Sequence, residues 1–203
     1  MSVVAVVLAA GASSRYGSNK LLAPLDGRPL LQHALDAVAA AGLTDVVVVL
    51  GAQAAEIEPA IAWRGERRVV NERPEDGLSS SLRVGLDAAV AFAGADAVLV
   101  VLGDQPLLRP DVIGSLISAG SSAEAAGARF VRPRYTTDAA PNPVLVRRSA
   151  WALAAGLEGD RGLGPLLAAH PELVAEVPVA GHNPDVDTPA QLAAIAALAE
   201  DPR

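Results

Sequence analysis

The chain has 203 residues, of which 51% are hydrophobic and 3% aromatic, and its formal net charge is −7. This length and apolar content suffice for one folded domain over residues 1–203 and exclude an intrinsically disordered chain. The negative charge argues against general binding to nucleic acid or to an anionic membrane. Because the chain has no cysteine, disulfides, thiolate metal ligands and a cysteine nucleophile are excluded.

The sequence also lacks the signals of a membrane or secreted protein. No apolar stretch reaches the roughly 18 residues of a membrane span without a charge or a turn signal. The first apolar run has no positively charged segment before it, as a signal peptide would. We therefore expect a soluble cytoplasmic protein with small-molecule partners and no membrane or nucleic-acid partner.

Val-rich runs alternate with segments of helical spacing along the chain. The runs are typical of strands buried on both faces of a parallel sheet. They predict strands over residues 3–9, 45–50, 67–70, 97–102, 129–131, 144–146 and 174–177. The segments between them predict helices over residues 29–41, 53–63, 79–92, 110–119, 149–157, 164–169 and 189–198. This alternation predicts an α/β protein with a mostly parallel central sheet layered between helices.

The first candidate site is the stretch LAAGASSRYGSNK at residues 8–20, which follows the first predicted strand. Gly11 permits a tight turn, and small residues such as Ser13 let an anion approach the backbone amides. Arg15 and Lys20 add two positive charges, so the loop suits a triphosphate. Lys20 is the one lysine beside 15 arginines, and its compact ammonium fits where a planar guanidinium does not. The alternative is a plain strand-to-helix loop with exposed charges.

Two acidic motifs are candidate metal sites. In VLGDQPLL, Gly103 and Asp104 end a buried strand, where a carboxylate can hold a hard divalent ion beside phosphates. In NPDVDTPAQL, Asp185 and Asp187 precede a predicted helix, and either is a candidate second ligand. Capping of the following segments is the alternative role of all three carboxylates, since Thr188 and Pro189 make a good helix start.

A fourth motif, EDGLSSSLRVGL at residues 75–86, opens the third predicted helix. Ser79 and Ser80 lie at its start with Ser81, and hydroxyls and amides there can contact a nucleotide or an anionic acceptor. N-capping explains one serine but leaves the others without a structural reason.

Together these motifs resemble those of the nucleotidyltransferases of the molybdenum-cofactor type. LAAGASSRYGSNK is similar to the family signature LAAGxSxRxGxxK, and GDQPLL to its metal-binding motif. GLSSSLRVGL, GDRGLGPLL and DVDTPAQL follow in the family's order, so the resemblance covers nearly the whole chain. Guanylyl-transferring relatives carry LAGG where this chain has LAAG, and Ala10 therefore resembles the cytidylyltransferase branch.

The resemblance implies a three-layer, Rossmann-like fold of the GT-A type and Mg²⁺-dependent transfer of CMP from CTP to molybdopterin, with release of pyrophosphate. It implies catalytic roles for Arg15, Lys20 and Asp104, and a metal held by Asp104 with Asp185 or Asp187. The implied nucleotide contacts are Leu8, Ala9, Ala10, Gly11, Ser13, Arg15, Lys20, Ser79, Ser80 and Gly103.

The acceptor side departs from the family. Relatives often carry Gly-His-Pro where this chain has Pro141, Asn142 and Pro143. Candidate acceptor-binding residues are Arg83, Arg132, Arg134 and Asn142. Two alternatives stay open: the same chemistry with another nucleoside triphosphate and a sugar or polyol phosphate, and a non-catalytic module. Such a module would bind the finished cofactor and deliver it to a molybdoenzyme or its chaperone.

Overall fold

A computed structural model describes residues 1–11, 13, 16–122, 127–136 and 141–200, the last three of them through the backbone alone. Within these residues the chain forms a central sheet of seven strands flanked by helices, as predicted. The strands of the chain are β1 Val3–Ala9, β2 Pro24–Leu25, β3 Arg28–Pro29, β4 Val46–Leu50, β5 Arg67–Val70, β6 Ala97–Leu102, β7 Phe130–Tyr135, β8 Val144–Arg147 and β9 Val174–Val179. The central sheet has the order β5-β4-β1-β6-β8-β7-β9.

The sheet is mostly parallel. β1 pairs in parallel with β4 and β6, β4 with β5, and β7 with β9. β8 is antiparallel to both of its neighbours, β6 and β7. The carboxyl ends of β1, β4, β5 and β6 therefore lie at one edge of the sheet, where ligands of open α/β sheets bind.

Helices cover both faces because the strands are apolar on both. Alternate residues of β1 pack into two different buried clusters, one on each face. The helices are α1 Leu30–Ala40, α2 Ala54–Ile57, α3 Leu78–Ala89, α4 Pro110–Ser121, α5 Trp151–Ala155, α6 Gly164–Ala169 and α7 Pro189–Glu200. α1 and α4 contribute to one cluster, while α3, α5 and α6 contribute to the other. Gly85 lets α3 approach the sheet closely, because a β-carbon there would lie 2.3 Å from Val6 Cγ1.

Two predicted helices are shorter than expected. The helix predicted over 53–63 stops at Ile57 and continues as a 3-10 turn over Glu58–Ala60. Pro59 is the physical reason, because proline has no backbone N–H and its ring clashes with the preceding turn. The helix predicted over 149–157 is a 3-10 turn at Arg148–Ala150 followed by the short α5.

Two strands run further than predicted, through prolines. β7 continues past Pro133, because its pairing with β8 ends at Val131 and a missing N–H costs no hydrogen bond to β8 beyond that point. β9 continues past Pro178 and is the last strand of the sheet, where proline is tolerated.

A small hairpin of β2 and β3 was not predicted. Its turn is Asp26–Gly27, and both residues have positive φ angles of 50° and 74°. Asp-Gly is a strong signal for this turn type, but strands of two residues give no alternation to detect. The hairpin shares a small buried cluster with α7, and this cluster includes Leu25, Val186 and Ile195. No helix among the described residues is long and apolar enough to span a membrane.

Candidate active site

A cleft of about 500 Å³ opens at the edge of the sheet where β1 and β6 end. The two strands run parallel with Leu8 opposite Leu102, so the loops that follow them start side by side. From the predicted site residues, those that line the cleft are Leu8, Ala9, Ala10, Gly11, Ser13, Lys20, Asp104, Asp185 and Asp187. The structure therefore brings together three motifs that are far apart in the sequence. Arg15 lies outside the described residues.

Local hydrogen bonds place Lys20 at the cleft. The Ser13 hydroxyl accepts a hydrogen bond from the Lys20 backbone N–H at 3.2 Å. The Asn19 side chain accepts one from the Leu21 N–H at 3.2 Å and begins the 3-10 turn Lys20–Leu22. Leu21 is buried in the core and anchors the turn there. The neighbouring Lys20 points toward the acidic side chains of the cleft.

Lys20 forms two ion pairs across the cleft. Its Nζ lies 2.6 Å from Asp104 Oδ2 and 2.9 Å from Asp187 Oδ1. Only 12% of the Lys20 side chain is exposed, against 17% for Asp104 and 21% for Asp187. The two carboxylates therefore converge on one point, which a cation already occupies.

The pKa values of Lys20 and Asp104 are both raised, for different reasons. Burial lowers the pKa of Lys20, but the ion pairs with Asp104 and Asp187 outweigh burial, and the net shift is upward. Burial raises the pKa of the Asp104 carboxyl; Lys20 opposes this rise and Asp185 adds to it. The ammonium is thus held charged, while the Asp104 carboxylate still gains from any further positive charge nearby.

The loop with Asp185 and Asp187 is fixed at both ends. Between the two acids, Val186 is fully buried and its N–H donates to the Asp104 carbonyl at 3.0 Å. After them, the Gln191 side-chain oxygen accepts hydrogen bonds from the N–H groups of Asp187 and Thr188 at 2.9 and 2.8 Å. Thr188 begins α7 as predicted, because its hydroxyl accepts from the Gln191 N–H at 3.3 Å. Capping and a place at the cleft are therefore compatible roles for this loop.

The predicted serines divide between the cleft and the interior. Ser81 lines the cleft, although Ser79 and Ser80 are the predicted contacts. The Ser80 hydroxyl donates to the Gly77 carbonyl at 2.8 Å and accepts from Asn71 Nδ2 at 2.7 Å. Ser79 is buried and its N–H donates to the Gly159 carbonyl at 3.1 Å. Ser79 and Ser80 thus hold the start of α3 in place.

Gly103 lies beneath the cleft. Its N–H donates to the Leu8 carbonyl at 2.9 Å and continues the pairing of β1 with β6. A β-carbon at this position would lie 3.0 Å from Leu31 Cδ1 and 3.2 Å from the Leu8 carbonyl oxygen. A side chain at this position would therefore require Leu31 and the end of β1 to shift by a few tenths of an ångström.

The predicted acceptor residues are spread over the surface around the site. Arg83 donates to the carbonyls of Ala155 and Leu157, both at 3.1 Å. On β7, Arg132 and Arg134 pair with Glu176 of β9, at 2.6 and 3.5 Å. These three arginines already have partners on the chain. Their proposed contact with an acceptor remains a prediction.

Asn142 lines a second, mostly apolar cavity of about 200 Å³ that adjoins the cleft. The two spaces share Leu8, Leu78 and Leu102 as lining residues. Arg161 also lines the second cavity and brings one cationic side chain to it. We call this space the apolar cavity.

Several residues at the cleft were not predicted. Glu75, Gly77 and Asp160 also line it. Gly77, at φ +92°, touches the loop after α5, since a β-carbon would lie 2.5 Å from the Gly159 carbonyl carbon. Asn71 is buried and anchors Ser80, and its place directly after β5 was the signal for it.

Comparison with known proteins identifies the family. The model of the MobA-like NTP transferase domain matches residues 5–174. The chain is 33% identical over 196 residues to the nicotine blue oxidoreductase of Paenarthrobacter nicotinovorans, covering 94% of each protein. It is 36% identical over 126 residues to the bifunctional protein GlmU of Paracidovorax citrulli, covering 60% of this chain and 26% of GlmU. The chain thus spans about a quarter of the length of that relative.

Solved structures agree with the fold. Rv0371c from Mycobacterium tuberculosis H37Rv superposes with a TM-score of 0.84 at 31% identity, covering 97% of each chain. The same protein in complex with manganese gives 0.82 at 29% identity, covering 97% of this chain and 99% of the other. A CMP:2-keto-3-deoxy-manno-octonic acid synthetase complexed with CTP shares the fold at 19% identity, with a TM-score of 0.74 and coverage of 98% and 99%.

The family match covers most of the chain, and the cleft combines a lysine with converging carboxylates at the sheet edge where such a fold binds its ligands. This chain therefore belongs to the MobA-like NTP transferase family.

Proposed function

We propose that the chain transfers CMP from CTP to a phosphate of molybdopterin and releases pyrophosphate, with Mg²⁺ as its cofactor. One observation carries the proposal: Lys20, Asp104 and Asp187 meet within ion-pair distance at the floor of the cleft. In such a site, a cation and converging carboxylates provide what a reacting triphosphate needs, namely charge neutralisation and a fixed position.

The carboxylates fit a magnesium ion. Among the described residues, no three His, Asp or Glu side chains are arranged around one point as a complete metal site. Mg²⁺ does not need three, because it is commonly held by one or two carboxylates together with waters and substrate phosphates. Asp104 and Asp187 already converge on a cation, the ammonium of Lys20. Asp104, with Asp187 or Asp185, would hold the ion, and Mg²⁺ bound there would neutralise charge on the triphosphate.

A metal ion held by Asp104 and Asp187 would compete with the Lys20 ammonium for the same carboxylates, and Lys20 would then be available to a phosphate. Its Nζ stands between Asp104 and Asp187, where the metal's charge would lie. A lysine is a flexible point charge that can swing to a neighbouring phosphate, whereas the planar guanidinium of arginine cannot use the same small site. We therefore assign Lys20 two positions, one on the carboxylates and one on the leaving pyrophosphate.

The reaction needs no covalent intermediate on the protein. A phosphate oxygen of the acceptor forms a bond to the α-phosphorus of CTP, while the bond from that phosphorus to the β-phosphate bridge breaks. A phosphate monoester is already anionic, so no strong general base is required. The tasks of the chain are to align the two phosphates in line and to offset the charge that develops on pyrophosphate, which falls to Lys20 and, from the sequence, Arg15.

The donor and the acceptor are assigned on different grounds. The assignment of CTP as the donor rests on Ala10, which lines the cleft and resembles the residue of the cytidylyltransferase branch at this position. Molybdopterin is supported by the apolar cavity next to the cleft, because a flat heterocycle suits apolar walls. A recipient molybdoenzyme or its chaperone would then take the product.

Pyrophosphate release tests the proposal. We would supply CTP, GTP, ATP or UTP with Mg²⁺, together with molybdopterin or with a polyol phosphate. The proposal predicts release with CTP and molybdopterin at least tenfold above every other pair. Release only with the polyol phosphate would overturn the acceptor, and release only with another nucleotide would overturn the donor.

The same assay separates the two other classes of function. The name of the Paenarthrobacter nicotinovorans relative describes redox chemistry, and an oxidoreductase releases no pyrophosphate. A delivery module would bind the finished dinucleotide without releasing pyrophosphate from CTP. A Lys20→Ala variant is the matched control, since it removes the ammonium and leaves the strands of the cleft unchanged.

A further inference from the structure

A buried pair of amide side chains lies behind the carboxylates of the cleft. Gln105 and Asn183 are each 1% exposed, although they stand 78 positions apart in the chain. Gln105 Nε2 donates to the Asn183 backbone carbonyl at 3.1 Å, and Asn183 Nδ2 donates to Gln105 Oε1 at 3.2 Å. Each side-chain amide thus donates one hydrogen bond to the other residue, Asn183 to the side chain of Gln105 and Gln105 to the backbone of Asn183. We call them the amide pair.

The amide pair joins the two loops that carry the acids. Gln105 directly follows Asp104, and Asn183 stands two residues before Asp185. The same loops are joined a second time by the hydrogen bond from the Val186 N–H to the Asp104 carbonyl, at 3.0 Å. The amide pair and this bond therefore fix both the distance and the register of the two acidic loops.

The pair also reaches the apolar cavity. Asn183 Nδ2 lies 3.5 Å from the Asn142 carbonyl, which accepts a hydrogen bond from the Tyr135 hydroxyl at 2.9 Å. Asn142 lines the apolar cavity, so one side chain touches the loops of both spaces. Burying polar side chains stabilises a fold little in net terms, because their hydrogen bonds replace bonds to water. Their hydrogen bonds are directional, however, so an amide pair holds the two loops in one register, whereas two leucines could pack in several.

We propose that Gln105 and Asn183 are positioning residues that hold Asp104 and the loop of Asp185 and Asp187 at the spacing a single cation can bridge. Without the pair, the two loops keep their fold but separate by enough that Lys20, or a metal, no longer contacts both acids. The part of this inference that concerns the metal rests on the proposed function. The part that concerns Lys20 does not, because the ion pairs exist without any ligand.

The sole lysine makes the test specific. With ¹³C-labelled lysine, the protein gives one lysine side-chain signal, that of Lys20, which we would record at fixed neutral pH without ligand. An Asp104→Asn variant supplies the reference signal for a broken ion pair. The test variants are Gln105→Leu, Asn183→Leu and, should either fail to fold, Gln105→Met, which keeps the length of the side chain and removes its hydrogen bonds.

Two further variants control the test. The exchange Gln105→Asn with Asn183→Gln keeps the total length of the two side chains and so can restore the bond between them, but not the bond from residue 105 to the backbone carbonyl of residue 183. Trp151→Phe removes the buried hydrogen bond from Trp151 Nε1 to the Val146 carbonyl, 3.1 Å long, far along the sheet from the cleft. It imposes a comparable loss of stability without touching the acidic loops.

We expect each single variant to move the Lys20 signal toward the Asp104→Asn reference and to weaken Mn²⁺ binding about tenfold or more, as loss of a partner behind a metal ligand does. The exchange should bring the signal part of the way back to the wild-type position, and Trp151→Phe should leave it unchanged. A Lys20 signal that stays at the wild-type position in every single variant, while the melting temperature falls as in Trp151→Phe, would overturn the inference. Absence of Mn²⁺ binding in the wild type would instead count against the proposed function, and the Lys20 signal would still decide the role of the pair.

Discussion

Two ion clusters in this molecule use the same kinds of side chain in opposite proportion. At the cleft, one cation, Lys20, faces two carboxylates, Asp104 and Asp187. On α1, one carboxylate, Asp36, faces two arginines. The first cluster carries a net negative charge and the second a net positive charge, and we expect this difference to distinguish a ligand-binding site from a structural ion cluster.

The Asp36 cluster is complete. Arg28 Nη1 lies 2.6 Å from Asp36 Oδ2, Arg64 pairs with Oδ1, and Gln32 donates to Oδ1 at 2.9 Å. Burial raises the pKa of Asp36, but the hydrogen bonds from Arg64 and Gln32 and the charges of Arg64 and Arg28 outweigh it, so the net shift is downward. Both carboxylate oxygens are already satisfied by the chain.

The Lys20 cluster has the opposite balance. Burial raises the pKa of Asp104, Asp185 raises it further, and Lys20 only partly offsets the rise. The chain thus satisfies the charge of Asp36, whereas the buried Asp104 carboxylate would gain from a further positive charge beside it. We expect this difference to show in four measurements, given from the largest effect to the smallest.

Replacing Lys20 should abolish most activity. Lys20→Ala removes the ammonium that offsets the charge of pyrophosphate, and we expect the rate of pyrophosphate release to fall about 100-fold or more. Lys20→Arg should lose a similar amount, because the guanidinium does not fit the same small site. Stopped assays of pyrophosphate release measure this, with circular dichroism to confirm the fold. Activity within a factor of three of the wild type in Lys20→Ala would remove Lys20 from the mechanism.

Neutralising Asp104 should weaken metal binding more than neutralising either acid of the α7 loop. Asp104 is more enclosed than Asp187, with 17% against 21% of the side chain exposed, so we expect Asp104→Asn to raise the Mn²⁺ dissociation constant about 30-fold. Titrations followed by the electron spin resonance signal of free Mn²⁺ give this value. Comparing Asp185→Asn with Asp187→Asn shows which of the two is the second ligand. Equal affinity in the wild type and Asp104→Asn would rule out Asp104 as a ligand.

Removing the positive charge of Lys20 should strengthen metal binding in the absence of nucleotide. Lys20→Met keeps the length of the side chain but no longer competes for Asp104 and Asp187, so we expect Mn²⁺ to bind about tenfold more tightly. With CTP present the order should reverse, because the lysine then binds phosphate. Isothermal titration calorimetry with and without CTP measures both. Weaker Mn²⁺ binding by Lys20→Met without nucleotide would show that the lysine and the metal do not share a position.

The Asp36 cluster should matter only for stability. In the folded protein the pKa of Asp36 lies below its ordinary value of 3.8. The ionised carboxylate therefore stabilises the fold above about pH 3.8, and this contribution is lost as the pH falls through the lowered pKa. Because both arginines are about half exposed, we expect Asp36→Asn to cost only about 0.5–1 kcal/mol at pH 7. Urea unfolding should show this difference constant from pH 7 to 5 and shrinking below about pH 4. A difference that stayed the same at pH 3 would mean that the charge of Asp36 is not its cause.

Much of the fold is visible in the sequence because the main strands are local patterns. The Val-rich runs of β1 and β6 have the predicted bounds, since burial on both faces needs an uninterrupted apolar run. Three prolines mark differences from the predicted elements: Pro59 ends a helix that was predicted to continue, while Pro133 and Pro178 lie inside strands that were predicted to stop. The effect of Pro59 is local, whereas pairing with neighbouring strands decides whether a strand runs through a proline, and such pairing is not a local property.

The part of the site whose residues follow the ends of strands could be predicted from the sequence. Lys20 and Asp104 meet because β1 and β6 are neighbours in a parallel sheet, whereas Asp187 precedes α7 and is brought to them by the loop whose Val186 N–H bonds to the Asp104 carbonyl. That Ser80 turns inward to Asn71 depends on a buried partner nine positions away. The amide pair depends on contact across 78 positions, and no spacing rule within one motif shows such a contact.

The central claim is that the cleft binds a nucleoside triphosphate together with a divalent metal. We would measure the melting temperatures of the wild type and Lys20→Ala with CTP, GTP, ATP and UTP, each with and without Mg²⁺. At 100 times its dissociation constant a ligand stabilises the folded state by about 2.7 kcal/mol, which for a chain of this size raises the melting temperature by roughly 5–10 °C. The account predicts that rise for CTP with Mg²⁺, a much smaller one without the metal or with the other nucleotides, and little in Lys20→Ala. No rise with any nucleotide, whether or not molybdopterin is present, would contradict it.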